Sequence, residues 1–84
     1  MKKEKIKLLE QQETNYDIKN RIVKGLIILE KYCDDITIEP VHDEIYIYLE
    51  KDEQYNDISD NDLVTLGKLG YMWSDEFNCF SHFT

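Results

Sequence analysis

The chain is poor in the residues that interrupt regular structure. Its 84 residues hold only three glycines and one proline. That scarcity, beside 42% hydrophobic residues, excludes a wholly disordered or low-complexity chain and predicts a folded domain. Cysteine is equally sparse. Two of them, Cys33 and Cys79, do not make a disulfide framework, and both are expected as reduced, largely buried thiols. Long apolar runs are missing too. The longest aliphatic run, Leu26–Leu29, falls far short of the roughly 20 residues that cross a membrane. The N-terminal MKKEKIKLLEQQE has lysines but no apolar stretch behind them, so it does not read as a secretory signal. These absences predict a cytoplasmic protein with no membrane association. The glycines are isolated from one another, so they form no phosphate-binding loop.

What the chain has is acid, and it is unevenly placed. Residues 1–33 carry a charge of +3 and residues 34–84 a charge of −11, which gives the net −8. Between Asp34 and Asp62 stand eleven acids and one lysine. A phosphate backbone would be repelled by this part of the chain, and a basic protein surface would be attracted. Direct nucleic-acid binding through Lys2, Lys3, Lys5, Lys7, Lys19, Arg21 and Lys24 is disfavoured, because acids interleave them.

Eighty-four residues make one small domain with a thin core, so each large side chain matters. Residues 2–13 are good helix formers with only Ile6, Leu8 and Leu9 apolar. Segment 1–13 is therefore expected as a frayed or loosely docked helix ahead of a compact domain at 14–84. Thr14 and Asp17 suggest the start of a central helix. Ile18, Ile22, Leu26, Leu29 and Cys33 then recur at helical spacing, widened by Val23, Ile27 and Ile28. Gly25 in its middle implies close approach of another element. Ile36–Glu39 alternates as a strand that Pro40 should stop. Ile45–Leu49 alternates as a second strand, with Tyr46 and Tyr48 on the face opposite the aliphatics. Glu50–Asp57 reads as an acidic loop.

Ser59 and Asp62 form a helix start flanked by Ile58 and Leu63, and Gly70 suits the stop of that helix. The tail Gly70–Thr84 holds the only Trp, Trp73, and all three Phe: Phe77, Phe80 and Phe83. These aromatics are expected to serve the core, on a hairpin with a loop at Ser74–Asn78. The order α-(α)-β-β-α-β-β predicts an α+β domain, a four-stranded antiparallel sheet packed on helices. Monomer and homodimer are both compatible with the pattern.

Candidate chemistry is thin. Cys33, His42, Cys79 and His82 could be a zinc set, but only Cys79 and His82 have a ligand-like spacing, so no metal or other cofactor is expected. The acids at Asp57–Asp62 lack the glycine and twelfth-position glutamate of a calcium loop. His42-Asp43-Glu44 offers a base without a nucleophile motif, and no enzyme is expected.

The tail's Leu69-Gly70-Tyr71, Asp75-Glu76, Cys79-Phe80 and Phe83-Thr84 resemble the terminal pattern of small acidic proteins from bacteria and their phages. Lys24–Tyr32 and Ile58-Ser59-Asp60 are similar to the same group, so the likeness covers about residues 18–84. Tyr71 and Phe80 stand where that group often has Trp. The resemblance implies a compact cytoplasmic domain in a mobile-element setting. There, small acidic proteins of anti-CRISPR-like type obstruct nucleic-acid-handling machines. It transfers no catalytic residues. Together these readings predict an acidic protein-binding inhibitor that mimics nucleic acid on a basic surface, with a generic interaction module as the alternative and a small metal-binding protein as a further one. The expected partner-binding residues are Glu39, Asp43, Glu44, Tyr46, Tyr48, Glu50, Asp52, Glu53, Asp57, Asp75 and Glu76.

Overall fold

In the computed structural model, which describes residues 1–84, the elements are α1 (Lys3–Glu10), α2 (Arg21–Leu29), β1 (Thr37–Val41), β2 (Glu44–Tyr48), α3 (Asp52–Asp57), α4 (Asp60–Lys68), β3 (Met72–Ser74) and β4 (Cys79–Phe83). The strands form one antiparallel sheet in the order β1-β2-β4-β3. The domain is α+β, as the hairpin and helix signals predict. No helix is long and apolar enough to cross a membrane.

Register sorts the sheet into two faces, because residues paired across a ladder point the same way. One face carries the rows Ile38–Ile47–Phe80–Trp73 and Pro40–Ile45–His82. Helical side chains cover it over β2, β4 and β3, while its β1 end, Ile38 and Pro40, stays exposed. Tyr55 of α3 meets Trp73 and Phe80 edge-on or tilted, at ring separations of 5.0 and 5.5 Å. Leu29, Ile58, Leu63 and Leu66 complete the core with no exposure to water. Phe80 and His82 therefore point inward, and Cys79, Ser81 and Phe83 belong to the other face.

Several expectations are corrected by tertiary contacts. The central helix starts at Arg21, not near Thr14. Asn15 makes a turn of its own, its Oδ1 accepting from Asp17 N at 3.1 Å, while its backbone N–H is held by Lys68 O at 2.8 Å. Asn20, left-handed at φ 58°, completes the break. The helix ends at Leu29, short of Cys33. Glu50–Asp57 is not all loop, because α3 forms within it. Six residues cannot hold a helix alone. Buried Tyr55 anchors it, its hydroxyl accepting from Leu49 N at 2.9 Å, and Gln54 Oε1 caps Lys51 N at 2.8 Å.

Pro40 does not stop the first strand but lies within β1. The strand is an edge, paired with β2 alone, so a residue without an N–H is tolerated there. The tail loop is four residues, Asp75–Asn78, since Ser74 pairs with Cys79.

α1 is docked where a loose segment was expected. Leu9 is fully buried, which stabilises by about 2 kcal/mol. Lys5 Nζ donates to Ile58 O at 2.6 Å. The end of α1 comes so close to α4 that a Cβ on Gly67 would overlap Leu9 O and stand 2.7 Å from Gln12 Cβ. Gly25 plays the matching part in α2: a Cβ there would overlap the ring of Tyr71, whose hydroxyl donates to Ile22 O at 2.6 Å. At the start of α4, Ser59 Oγ accepts from Asp62 N at 3.2 Å. At its stop, Gly70 takes φ 95°.

Candidate protein-interaction surface

The second face of the sheet is built from the alternate residues of the same strands. Its rows are Glu39–Tyr46–Ser81–Met72 and Val41–Glu44–Phe83, with Thr37 beside Tyr48 and Ser74 beside Cys79. This face is open. Phe83 is 62% exposed and Val41 39%. Phe77 leaves the β3–β4 turn to set its ring edge-on to Tyr46 at 5.0 Å, yet stays 45% exposed. The small residues Cys79 and Ser81 are buried although they stand on this open face. In the central strand β4, larger neighbours on β2 and β3 shelter them.

The electrostatics of this face have one sign. No Lys or Arg occurs from Thr37 to Glu50 or from Leu69 to Thr84, so the entire sheet and both its turns carry no fixed cation. Glu39, Asp43, Glu44, Asp75 and Glu76 are the charges of that layer. All ten Lys and Arg lie on helices and connectors. Burial raises the Tyr46 hydroxyl above its ordinary pKa, and the Glu44 and Glu76 carboxylates beside it raise it further. Tyr48 is pushed up to about 12, first by burial, then by the Cys79 thiol and by Glu39. Burial likewise raises Cys79. Both phenols therefore stay protonated at neutral pH and present O–H donors among carboxylate acceptors.

The structure gathers five of the eleven expected residues on or beside this face: Glu39, Glu44, Tyr46, Tyr48 and Glu76. The others lie apart. Asp43 is in the two-residue turn between β1 and β2, its carbonyl accepting from Thr84 N at 2.8 Å. Glu50 is engaged internally, with Oε1 accepting from Asp35 N at 2.9 Å and lying 3.5 Å from Cys33 Sγ. Asp52, Glu53 and Asp57 ride on α3, where the first two border a hollow with Asn56 and Asn78. Asp75 borders another hollow, shared with Lys3 and Lys7 of α1. The acids thus form a cluster on the sheet with outliers, not one duplex-like strip.

Sequence reasoning placed Phe77 and Phe83 in the core, but only Trp73 and Phe80 are buried. Phe77 sits in a polar turn, SDEFN, and that context was the available sign that it faces water. The zinc-like spacing of Cys79 and His82 does not converge, because the two side chains leave opposite faces of β4. Both ring nitrogens of His82 face backbone carbonyl oxygens, Phe83 O at 2.6 Å and Leu69 O at 2.7 Å.

Fold and surface define a class: a small α+β domain with helices on one side of its sheet and an acid-rimmed aromatic face on the other. No family model matches the chain, and neither a curated protein nor a solved structure matches it.

Proposed function

We propose that the chain is a protein-binding domain of the cytoplasm that docks the open face of its sheet on a positively charged, arginine-bearing surface of a partner. The single observation that carries this reading is the pairing of exposed Phe77 and Phe83 and half-buried Tyr46 with Glu39, Glu44 and Glu76 on a layer free of Lys and Arg. Guanidinium is the group this face suits. It stacks on aromatic rings, pairs with carboxylates in a planar fork, and donates N–H groups to the phenol oxygens. Tyrosine and phenylalanine at such a face bury large area at low entropic cost.

Where the partner's basic surface is a nucleic-acid-binding groove, occupancy excludes the nucleic acid by bulk and by charge. That is the inhibitory form of the reading. It acts by occlusion and not by catalysis, and the likeness of residues 18–84 to small acidic proteins of bacteria and their phages supports it. The clustering of only some acids on the sheet favours docking through a compact patch over imitation of a long duplex.

The test is capture by the immobilised protein at about 50 mM and 500 mM salt. Each captured protein is then purified and assayed for nucleic-acid binding with and without the domain. A nucleic-acid-binding protein should be retained at low salt, lose its nucleic acid to the domain, and bind at least about tenfold more weakly to the Glu39→Gln/Glu44→Gln/Glu76→Gln variant. The Asp52→Asn/Glu53→Gln/Asp57→Asn variant should retain most of the affinity. Binding that follows the α3 acids, or that ignores both sets, would overturn the assignment of the face.

A further inference from the structure

α2 has more apolar surface than its packing uses. Gly25 and Leu29 face the core, but Val23 and Ile27 stand in water, Ile27 at 59% exposure. Between the flank of α2 and the edge strand β1 runs a groove of about 460 Å³, lined by Leu26, Cys33, Ile36 and Ile38 and by the carboxylates Glu30, Asp34 and Asp35. Ile38 lines it from β1 and is itself 45% exposed. No Lys or Arg lines the groove. The nearest cation in sequence, Lys31, is committed elsewhere, with its Nζ 2.6 Å from Asp62 of α4. The floor is built rather than loose: Asp35 N and Cys33 Sγ are both held by Glu50, so the Asp34–Ile36 lip has a fixed course.

We infer that this groove is a second docking site, for a basic amphipathic segment of a partner protein. Aliphatic side chains of the segment rest on Leu26, Ile36 and Ile38, and its Lys or Arg residues meet Glu30, Asp34 and Asp35. Charge complementarity selects this occupant. An acidic or neutral apolar segment would leave three carboxylates facing apolar groups or like charge. A second copy of the chain is disfavoured by like charge, because the chain carries a net charge of −8 and three of the groove's lining residues are carboxylates. The site lies on the helix side of β1, away from the open sheet face, and does not depend on that face being used.

The experiment is an NMR titration of the intact protein, labelled at Ile, Leu and Val methyls. The probe is the peptide acetyl-Leu-Arg-Leu-Arg-Leu-amide, with the Glu-for-Arg and Gly-for-Leu peptides as controls. The expected result is saturable shifts at Leu26, Ile36 and Ile38 with the Leu/Arg peptide, and binding at least about tenfold weaker for either control. A Glu30→Gln/Asp34→Asn/Asp35→Asn variant should also bind about tenfold more weakly, as the surface ion pairs predict, while its methyl spectrum reports an intact fold. Shifts confined to Val41 and its neighbours on the open face, or affinity unchanged in the triple variant, would overturn the groove assignment. The Glu39→Gln/Glu44→Gln/Glu76→Gln variant separates the two readings. It should bind this peptide normally, and loss of peptide binding there would assign the interaction to the open face instead.

Discussion

Replacing Gly25 by alanine sets two forces of known size against each other. In an unobstructed helix the change should stabilise by about 1 kcal/mol, the difference in helix propensity. Here the new methyl would overlap Tyr71 Cε1 and Cζ and stand 2.5 Å from the hydroxyl oxygen. Tyr71 is 2% exposed and lies edge-on to Phe80 and His82, so its ring has no free space to enter. Moving it would cost about 1–3 kcal/mol of overpacking. It would also break the bond to Ile22 O and leave a buried hydroxyl unpaired, at a further cost of about 1–3 kcal/mol. After the propensity gain, the net loss is about 3 kcal/mol. In a domain of this size that lowers Tm by about 12–24 °C. Thermal and urea unfolding followed by far-UV circular dichroism measure it. A double-mutant cycle isolates the cause: with Tyr71→Ala as background, Gly25→Ala should become neutral or gain up to about 1 kcal/mol. A Gly25→Ala protein more stable than the parent, or a penalty that survives removal of the Tyr71 ring, would refute the argument.

Two further outcomes follow from neighbouring contacts. Gly67→Ala should push α1 off α4, because its methyl would overlap Leu9 O; faster amide exchange confined to residues 3–10, with a stability loss of about 1–3 kcal/mol, is the expected signature. Asp62 has its pKa lowered below 3.8, first by the bond from Lys31 and then by that from Tyr32 at 2.5 Å. A carboxylate depressed by folding adds stability above the unfolded value, and that stability is lost as pH falls through the folded one. The parent should therefore weaken more steeply than Asp62→Asn between pH 5 and pH 3 in urea titrations, and parallel slopes would contradict this linkage.

Local chemistry was legible wherever it was self-contained. Ser59 caps α4, Gly70 stops it and Gly25 marks a crossing, because each rests on a backbone property that few residues share. The alternation of Ile45, Tyr46, Ile47 and Tyr48 gave β2 and both its faces. What could not be read was decided at a distance. α3 exists because Tyr55 finds Trp73 and Phe80, eighteen and twenty-five residues on. α1 docks because Gly67 leaves room for it. The charge asymmetry was visible as a count, but dividing the acids between sheet face, groove and helix needs the strand register. Two residues show the same limit from opposite sides: Glu50 is as acidic as Glu44, yet the fold spends it on Asp35 N, whereas Phe77, by composition a core residue, ends on the surface.

The strand order has a consequence for how the chain is made. β2 lies between β1 and β4, so its second partner arrives only when β4 has been synthesised. Thirty residues, Leu49 to Asn78, separate the two strands. At about 5–20 residues per second, the ribosome holds the β1–β2 hairpin without its neighbour for about 2–6 s. During that interval the β2 edge is bare, and the α3 and α4 side chains that pack in one core with Ile45 and Ile47 are still being made. The hairpin emerges with Asp34, Asp35, Glu39, Asp43, Glu44 and Glu50 on and around it and no cation before Lys51. Like charge keeps neighbouring hairpins apart until β4 closes the gap. Glu39 and Glu44 thus stand on the hairpin while it is unpartnered and on the rim of the finished surface.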